Sequence, residues 1–145
     1  MDDTLQTNAL ELGKLLADHN GLNVVIMDMR SLNFWTDYFI IATVTSNAHL
    51  SGLERHIKDY TREKGMEILH RSKKPDSKEL SSEEWSLLDL GGIVIHLMTA
   101  KLRDFFELER LWSAAPIIFG EADQTKRLNY LSNYSSNSPY GRSSS

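Results

Sequence analysis

The 145-residue chain contains no cysteine. That excludes a disulfide framework, a thiol nucleophile and a cysteine-ligated zinc site, and it fits a cytoplasmic protein. It has no apolar run near the roughly 20 residues that a membrane-spanning helix needs. Its start, MDDTLQTNALELG, is acidic and has neither a basic n-region nor an Arg-rich transit pattern, so neither export nor organelle import is expected. Basic excess is also missing. Sixteen Lys and Arg stand against twenty Asp and Glu, a net charge of −4. Proteins that grip the phosphate backbone along its length are usually basic, because counterion release drives that association. General nucleic-acid binding is therefore not expected, whereas a basic protein partner is favoured by complementary charge.

What is present reads as one ordinary globular domain, with 41% hydrophobic and 25% charged residues. Leu5, Ala9, Leu12 and Leu16 repeat at helical spacing, and Asn20-Gly21 ends that helix. The continuous apolar run from Leu22 to Met29 and the run from Tyr38 to Thr43 predict two strands covered on both faces. Between them lies a loop with Phe34 and Trp35, placed either against the sheet or in self-association. Thr45, Ser46 and Asn47 are alternative N-caps for a helix whose stripe is Leu50, Leu53, Ile57 and Tyr60 and which Gly65 closes. Met66–Leu69 predicts a short edge strand, and Arg71–Glu84 has the composition of an exposed loop. The order of elements predicts a single α/β domain, a mixed β-sheet flanked by helices, over residues 1–119. From 120 to 145 the chain turns rich in Ser and Asn, and a flexible C-terminal tail is expected there.

The block from Trp85 to Trp112, WSLLDLGGIVIHLMTAKLRDFFELERLW, carries the most information. Two glycines between apolar runs predict a hairpin, because primed turns require positive φ. With Gly91 and Gly92 as the loop, Leu90 faces Ile93, Leu88 faces Ile95 and Ser86 faces Leu97 on a core face. The other face sets Asp89, Leu87 and Trp85 across from Val94, His96 and Met98. A face that mixes Trp, Asp and His is either packed beneath a helix or presented to a partner. Asp89 and His96 are diagonal neighbours there, within reach of a hydrogen bond. The helix that follows has Leu102, Phe105, Leu108 and Trp112 as its apolar stripe, and Phe106 falls beside it. Lys101, Arg103, Asp104, Glu107, Glu109 and Arg110 read as a solvated face, with Arg103–Glu107 an i,i+4 pair.

WSLLDLGGIVIHLM, LRDFFELERLW and the upstream DYFIIATVTSNAHLSGLERHI resemble the ribosomal silencing factor family, also called Iojap, over roughly Leu5 to Pro116. Val44 stands where that family usually has Gly, Gly92 where Asp is common, and the Arg71–Ser82 connector is longer and more polar than usual. The resemblance implies a fold similar to that of nucleotidyltransferases. It implies a translational repressor that binds the large ribosomal subunit through ribosomal protein L-fourteen and sterically blocks joining of the small subunit. The alternative it leaves is a ribosome-associated adaptor or large-subunit assembly factor without silencing activity. It also implies homodimerisation of the free protein. It favours partner contact for the mixed face, so Trp85, Leu87, Asp89 and His96, with Arg103 and Phe106 from the helix, are the expected partner-binding residues.

Enzyme chemistry is not expected. Thr45-Ser46 sits at a strand-to-helix turn, as the Gly-Ser of a nucleotidyltransferase does, but a carboxylate pair to hold metal ions is missing. Asp28 is followed two residues later by Arg30, and Asp89 by Gly91. No serine or cysteine nucleophile is placed to use an Asp89–His96 pair. Metal binding is not expected either. No His-x-x-x-His pair exists, and His49 and His56 lie seven residues apart, about 10 Å along a helix. The reading therefore requires no cofactor, metal or membrane.

Overall fold

The computed structural model describes residues 4–32, 34–73, 85–107 and 114–120. In chain order the elements are α1 (Thr4–Asp18), β1 (Leu22–Asp28), a short 3-10 turn (Arg30–Leu32), β2 (Tyr38–Thr43) and α2 (Asn47–Lys64). Then follow β3 (His70–Lys73), β4 (Trp85–Asp89), β5 (Ile93–Met98), α3 (Ala100–Phe106) and β6 (Ile117–Phe119). The strands form one mixed sheet in the order β3-β4-β5-β2-β1-β6. β2 and β5 run parallel, and every other neighbouring pair is antiparallel. No described helix is long and apolar enough to cross a membrane. The expected C-terminal tail lies outside the described residues, as do Leu108, Glu109, Arg110, Trp112 and most of the connector before β4.

β2 and β5 are buried along their whole length, as expected of central strands with both faces covered. One face packs beneath α1 and α2, where Ala9, Leu12, Leu16, Ile26, Ile40, Leu53, Ile57, Leu88, Ile95 and Leu97 form the larger core. Tyr60 fastens the two helices together, its hydroxyl donating to Glu11 Oε1 at 2.6 Å. The other face carries Val25, Met27, Phe39, Ile41, Val94, Met98 and Leu102, with Phe34, Trp85, Leu87 and Phe106 half-buried against them.

Local chemistry fixes the ends of α2. Of the three candidate caps the chain uses Ser46, whose extended backbone (φ −160°, ψ 166°) lets its side chain accept from His49 N at 3.0 Å. Gly65 closes the helix in the left-handed region at φ 71°, and its N–H bonds back to Arg62 O. The hairpin register is as expected in every pair, from Trp85–Met98 through Leu87–His96 to Asp89–Val94. Only Gly91, the first loop residue, takes a positive φ, 106°, where a type II′ turn needs it. Gly92 lies directly beneath Leu5 of α1, in space a Cβ would fill.

Three expectations need correcting. The edge strand is His70–Lys73, not Met66–Leu69: Leu69 N donates to Asp89 O, and pairing with β4 runs on from there. An edge strand with water beside it tolerates polar residues, so the apolar run was the wrong marker. A sixth strand, Ile117–Phe119, pairs with β1 beyond the last helix and had no expected counterpart. In α3, Phe105 is 61% exposed, whereas Leu102 and Phe106 face the sheet. Leu102 and Phe106 stand four residues apart and share the side turned to the sheet, which leaves Phe105 off it; the helix closes at Glu107 in the left-handed region.

One polar cluster is built into the larger core. Ser86 is fully buried, and its hydroxyl donates to Glu54 of α2, itself 3% exposed. Arg71 of β3 closes the group with two bonds to the same carboxylate, at 2.6 and 3.1 Å. The pairing holds the Arg71 guanidinium firmly protonated. A buried carboxylate without such partners would be costly, so this cluster ties α2 to the β3–β4 edge.

Candidate docking face

β4 alternates half-buried and buried along its length, with Ser86 and Leu88 turned into the larger core. Trp85, Leu87 and Asp89 therefore project onto the opposite face, beside β5 and next to α3. The sequence places all three on one face by period-2 alternation, and the fold leaves them half-open. Phe106 is also half-buried and packs into the same apolar cluster as Trp85 and Leu87. Phe105 stands beside it, ring centroids 5.3 Å apart and nearly perpendicular.

The other two expected contact residues are buried. His96 is 7% exposed, with Phe39 edge-on at 5.1 Å. Burial lowers its pKa to about 4, so the ring is neutral at physiological pH. The Asp89–His96 hydrogen bond that the register puts within reach does not form. Asp89 Oδ1 instead accepts from Gly91 N at 2.9 Å and braces the hairpin turn. Both ring nitrogens of His96, and Trp85 Nε1 beside it, are buried with no hydrogen-bond partner among the described residues.

Arg103, expected on a solvated helix face, is 6% exposed. Its Nη1 donates to Asn23 O at 2.7 Å and to Thr43 Oγ1 at 3.0 Å. Asn23 lies at the β1 irregularity between Leu22 and Val25 and takes a left-handed φ of 49°. Arg103 thus pins α3 across the ends of β1 and β2, which positions Phe106 but leaves the guanidinium buried. Sequence spacing cannot reveal this, because the acceptors lie 80 and 60 residues away.

The residues considered for chemistry are occupied elsewhere. Asp28 is gripped by Arg30 through both carboxylate oxygens, at 2.9 and 2.7 Å, which lowers its pKa. His49 Nδ1 accepts from Thr45 N at 3.1 Å, while His56 stacks on His19 with ring centroids 3.6 Å apart. Among the described residues no group of three or more His, Asp or Glu is arranged to hold a metal ion.

Fold and face define a class: a small mixed-sheet α/β domain with one sheet face sealed under two helices and the other aromatic and partly open. The comparisons with known proteins then give the family. Residues 2–143 match the family described as "Ribosomal silencing factor during starvation". The chain is 33% identical over 104 residues to the ribosomal silencing factor RsfS of Treponema pallidum, covering 72% of this chain and 88% of that protein. It is 31% identical over 103 residues to a mouse protein named "Mitochondrial assembly of ribosomal large subunit protein 1", covering 70% of this chain and 43% of that one. A crystal structure from Chromobacterium violaceum superposes with a TM-score of 0.64 at 26% identity, over 85% of this chain and 98% of that chain. The chain belongs to the ribosomal silencing factor (RsfS/Iojap) family, a family of ribosome-associated regulators of translation.

Proposed function

We propose that this protein represses translation by binding the large ribosomal subunit through ribosomal protein L-fourteen and blocking joining of the small subunit. The docking face is the half-open side of β4 and the end of α3: Trp85, Leu87, Asp89 and Phe106. His96 and Arg103 serve as support for it, the first as buried packing beside Leu87 and Phe39, the second as the clamp on α3. The observation that carries the reading is the half-buried Trp85–Leu87–Asp89 row on an aromatic sheet face, in a chain of this family. Tryptophans at the centre of such patches are enriched among binding hot spots. The net charge of −4 favours a basic ribosomal protein over RNA as the contact. No bond-making step is involved, the site of action is cytoplasmic, and a homodimer of the free protein would cover part of the same face.

The experiment is co-sedimentation of the purified chain with purified large subunits, followed by addition of small subunits. The reading expects pelleting with the large subunit, a block on joining, and a loss of more than about 2 kcal/mol of affinity in Trp85→Ala, as hot-spot truncations show. Unchanged binding by a folded Trp85→Ala protein would refute the site. A second reading is favoured by the mouse relative's name, which speaks of large-subunit assembly. Pelleting with the large subunit without any block on joining would select that reading.

A further inference from the structure

We infer that Trp35 is a second anchor of the same docking face, so that the partner is held at both ends of one aromatic strip; this rests on the reading above. Trp35 lies in the loop between β1 and β2 and is 61% exposed. A lone exposed apolar residue is normal, but this one is continuous with the proposed face. Its ring stands edge-on to Phe39 at 6.4 Å and lies 5.5 Å from Phe34. Phe39 in turn stands edge-on to His96, which is paired directly with Leu87. Trp35 therefore belongs to the α3 side of the sheet and not to the side sealed by α1 and α2.

The register places the two tryptophans at opposite ends. Phe39, Val94 and Asp89 form one row across β2, β5 and β4, and Thr43, Met98 and Trp85 form another. The rows are four residues apart, roughly 13 Å along the strands. The backbone that follows the exposed ring is hydrogen-bonded to the neighbouring strands. Thr36 beside it is 1% exposed, and the N–H groups of Asp37 and Tyr38 both donate to Gly92 O, at 3.1 and 3.0 Å. Met29 N donates to Asp37 O at 2.8 Å from the other side. A backbone already held at Asp37 and Tyr38 has less to order on binding, which favours an anchor at the preceding residues.

The occupant is an Arg- or Lys-bearing surface of a basic ribosomal protein on the large subunit. The loop's own cation is engaged elsewhere, since Arg30 grips Asp28 and lies over the Tyr38 ring at 5.3 Å. The exposed Trp35 ring suits a guanidinium or ammonium from outside. The chain's net charge of −4 steers such a partner towards it.

The test measures large-subunit binding by co-sedimentation for the full chain, Trp35→Ala, Trp85→Ala and the double variant, with self-association followed by sedimentation velocity. Because the Trp35 ring is exposed, Trp35→Ala keeps its fold and its urea midpoint. It is expected to lose at least tenfold in affinity. The double variant is expected to lose the product of the two single losses, since sites more than about 7–10 Å apart act independently. Wild-type binding by Trp35→Ala, while Trp85→Ala is weakened, overturns this inference and leaves the docking face intact. Altered self-association with unchanged subunit binding also overturns it, because the ring then meets a second copy of the chain. No weakening by either variant, or no binding by the wild type, overturns the docking face and this inference together.

Discussion

Acidification should weaken the fold through His96. The ring is held neutral in the folded state with a pKa of about 4, lowered by burial, whereas an unfolded histidine titrates near 6.5. Between those values the unfolded chain binds a proton at His96 that the folded chain does not. Stability therefore rises with pH across the window: it is complete above about pH 6.5, falls on acidification, and levels off near pH 4 as the folded ring takes its proton too. Worked at pH 5, the loss relative to pH 7.5 is about 2 kcal/mol from this group alone. Asp28 and Glu11, whose pKa values are lowered by Arg30 and Tyr60 respectively, contribute mainly below about pH 4.5, beneath the interval from pH 7.5 to pH 5. The assay is urea unfolding at several pH values from 7.5 to 4.5 for the wild type and for His96→Leu, which keeps the volume and removes the titrating ring. The difference between the two should grow by about 2 kcal/mol between pH 7.5 and pH 5, with His96→Leu the less sensitive. Parallel stability curves for the two proteins would refute the claim that His96 is buried and neutral.

Glu54→Ala should cost about 2–3 kcal/mol, because it strips Ser86 and Arg71 of their shared acceptor. Ser86→Ala, which removes a single hydroxyl bond, should cost about 1 kcal/mol by the same urea midpoint; equal effects would mean that the cluster does not act as described. Ser46→Ala removes the N-cap of α2 and should cost about 1 kcal/mol, read by thermal or urea unfolding. No change there would mean that tertiary packing alone fixes the start of α2.

The parts of the fold that the sequence displays are those set by local chemistry. A two-glycine loop admits one register, so the pairing of β4 with β5 follows residue by residue. Ser46 and Gly65 mark the ends of α2 because a cap oxygen and a left-handed φ have few alternatives. The edge strand β3 escapes notice because its residues, His70 to Lys73, are polar, and an exposed edge does not require otherwise. β6 is three residues long and gains its identity only by pairing with β1. On the proposed docking face, strand alternation sets Trp85, Leu87 and Asp89 on one side, as the register shows. The burial of His96 and Arg103 depends on Phe39 and on Asn23 and Thr43, partners distant in sequence. Phe105 and Phe106 are chemically alike, and only the seat of a seven-residue helix decides which of them faces the sheet.

The most direct test of the account is small-subunit joining to purified large subunits in the presence of the wild-type chain or its folded Trp85→Ala variant. The account predicts that the wild-type chain pellets with the large subunit and lowers the yield of joined ribosomes, and that Trp85→Ala restores joining. Full joining with the wild-type chain bound would contradict steric silencing, and silencing undiminished in Trp85→Ala would contradict the docking face.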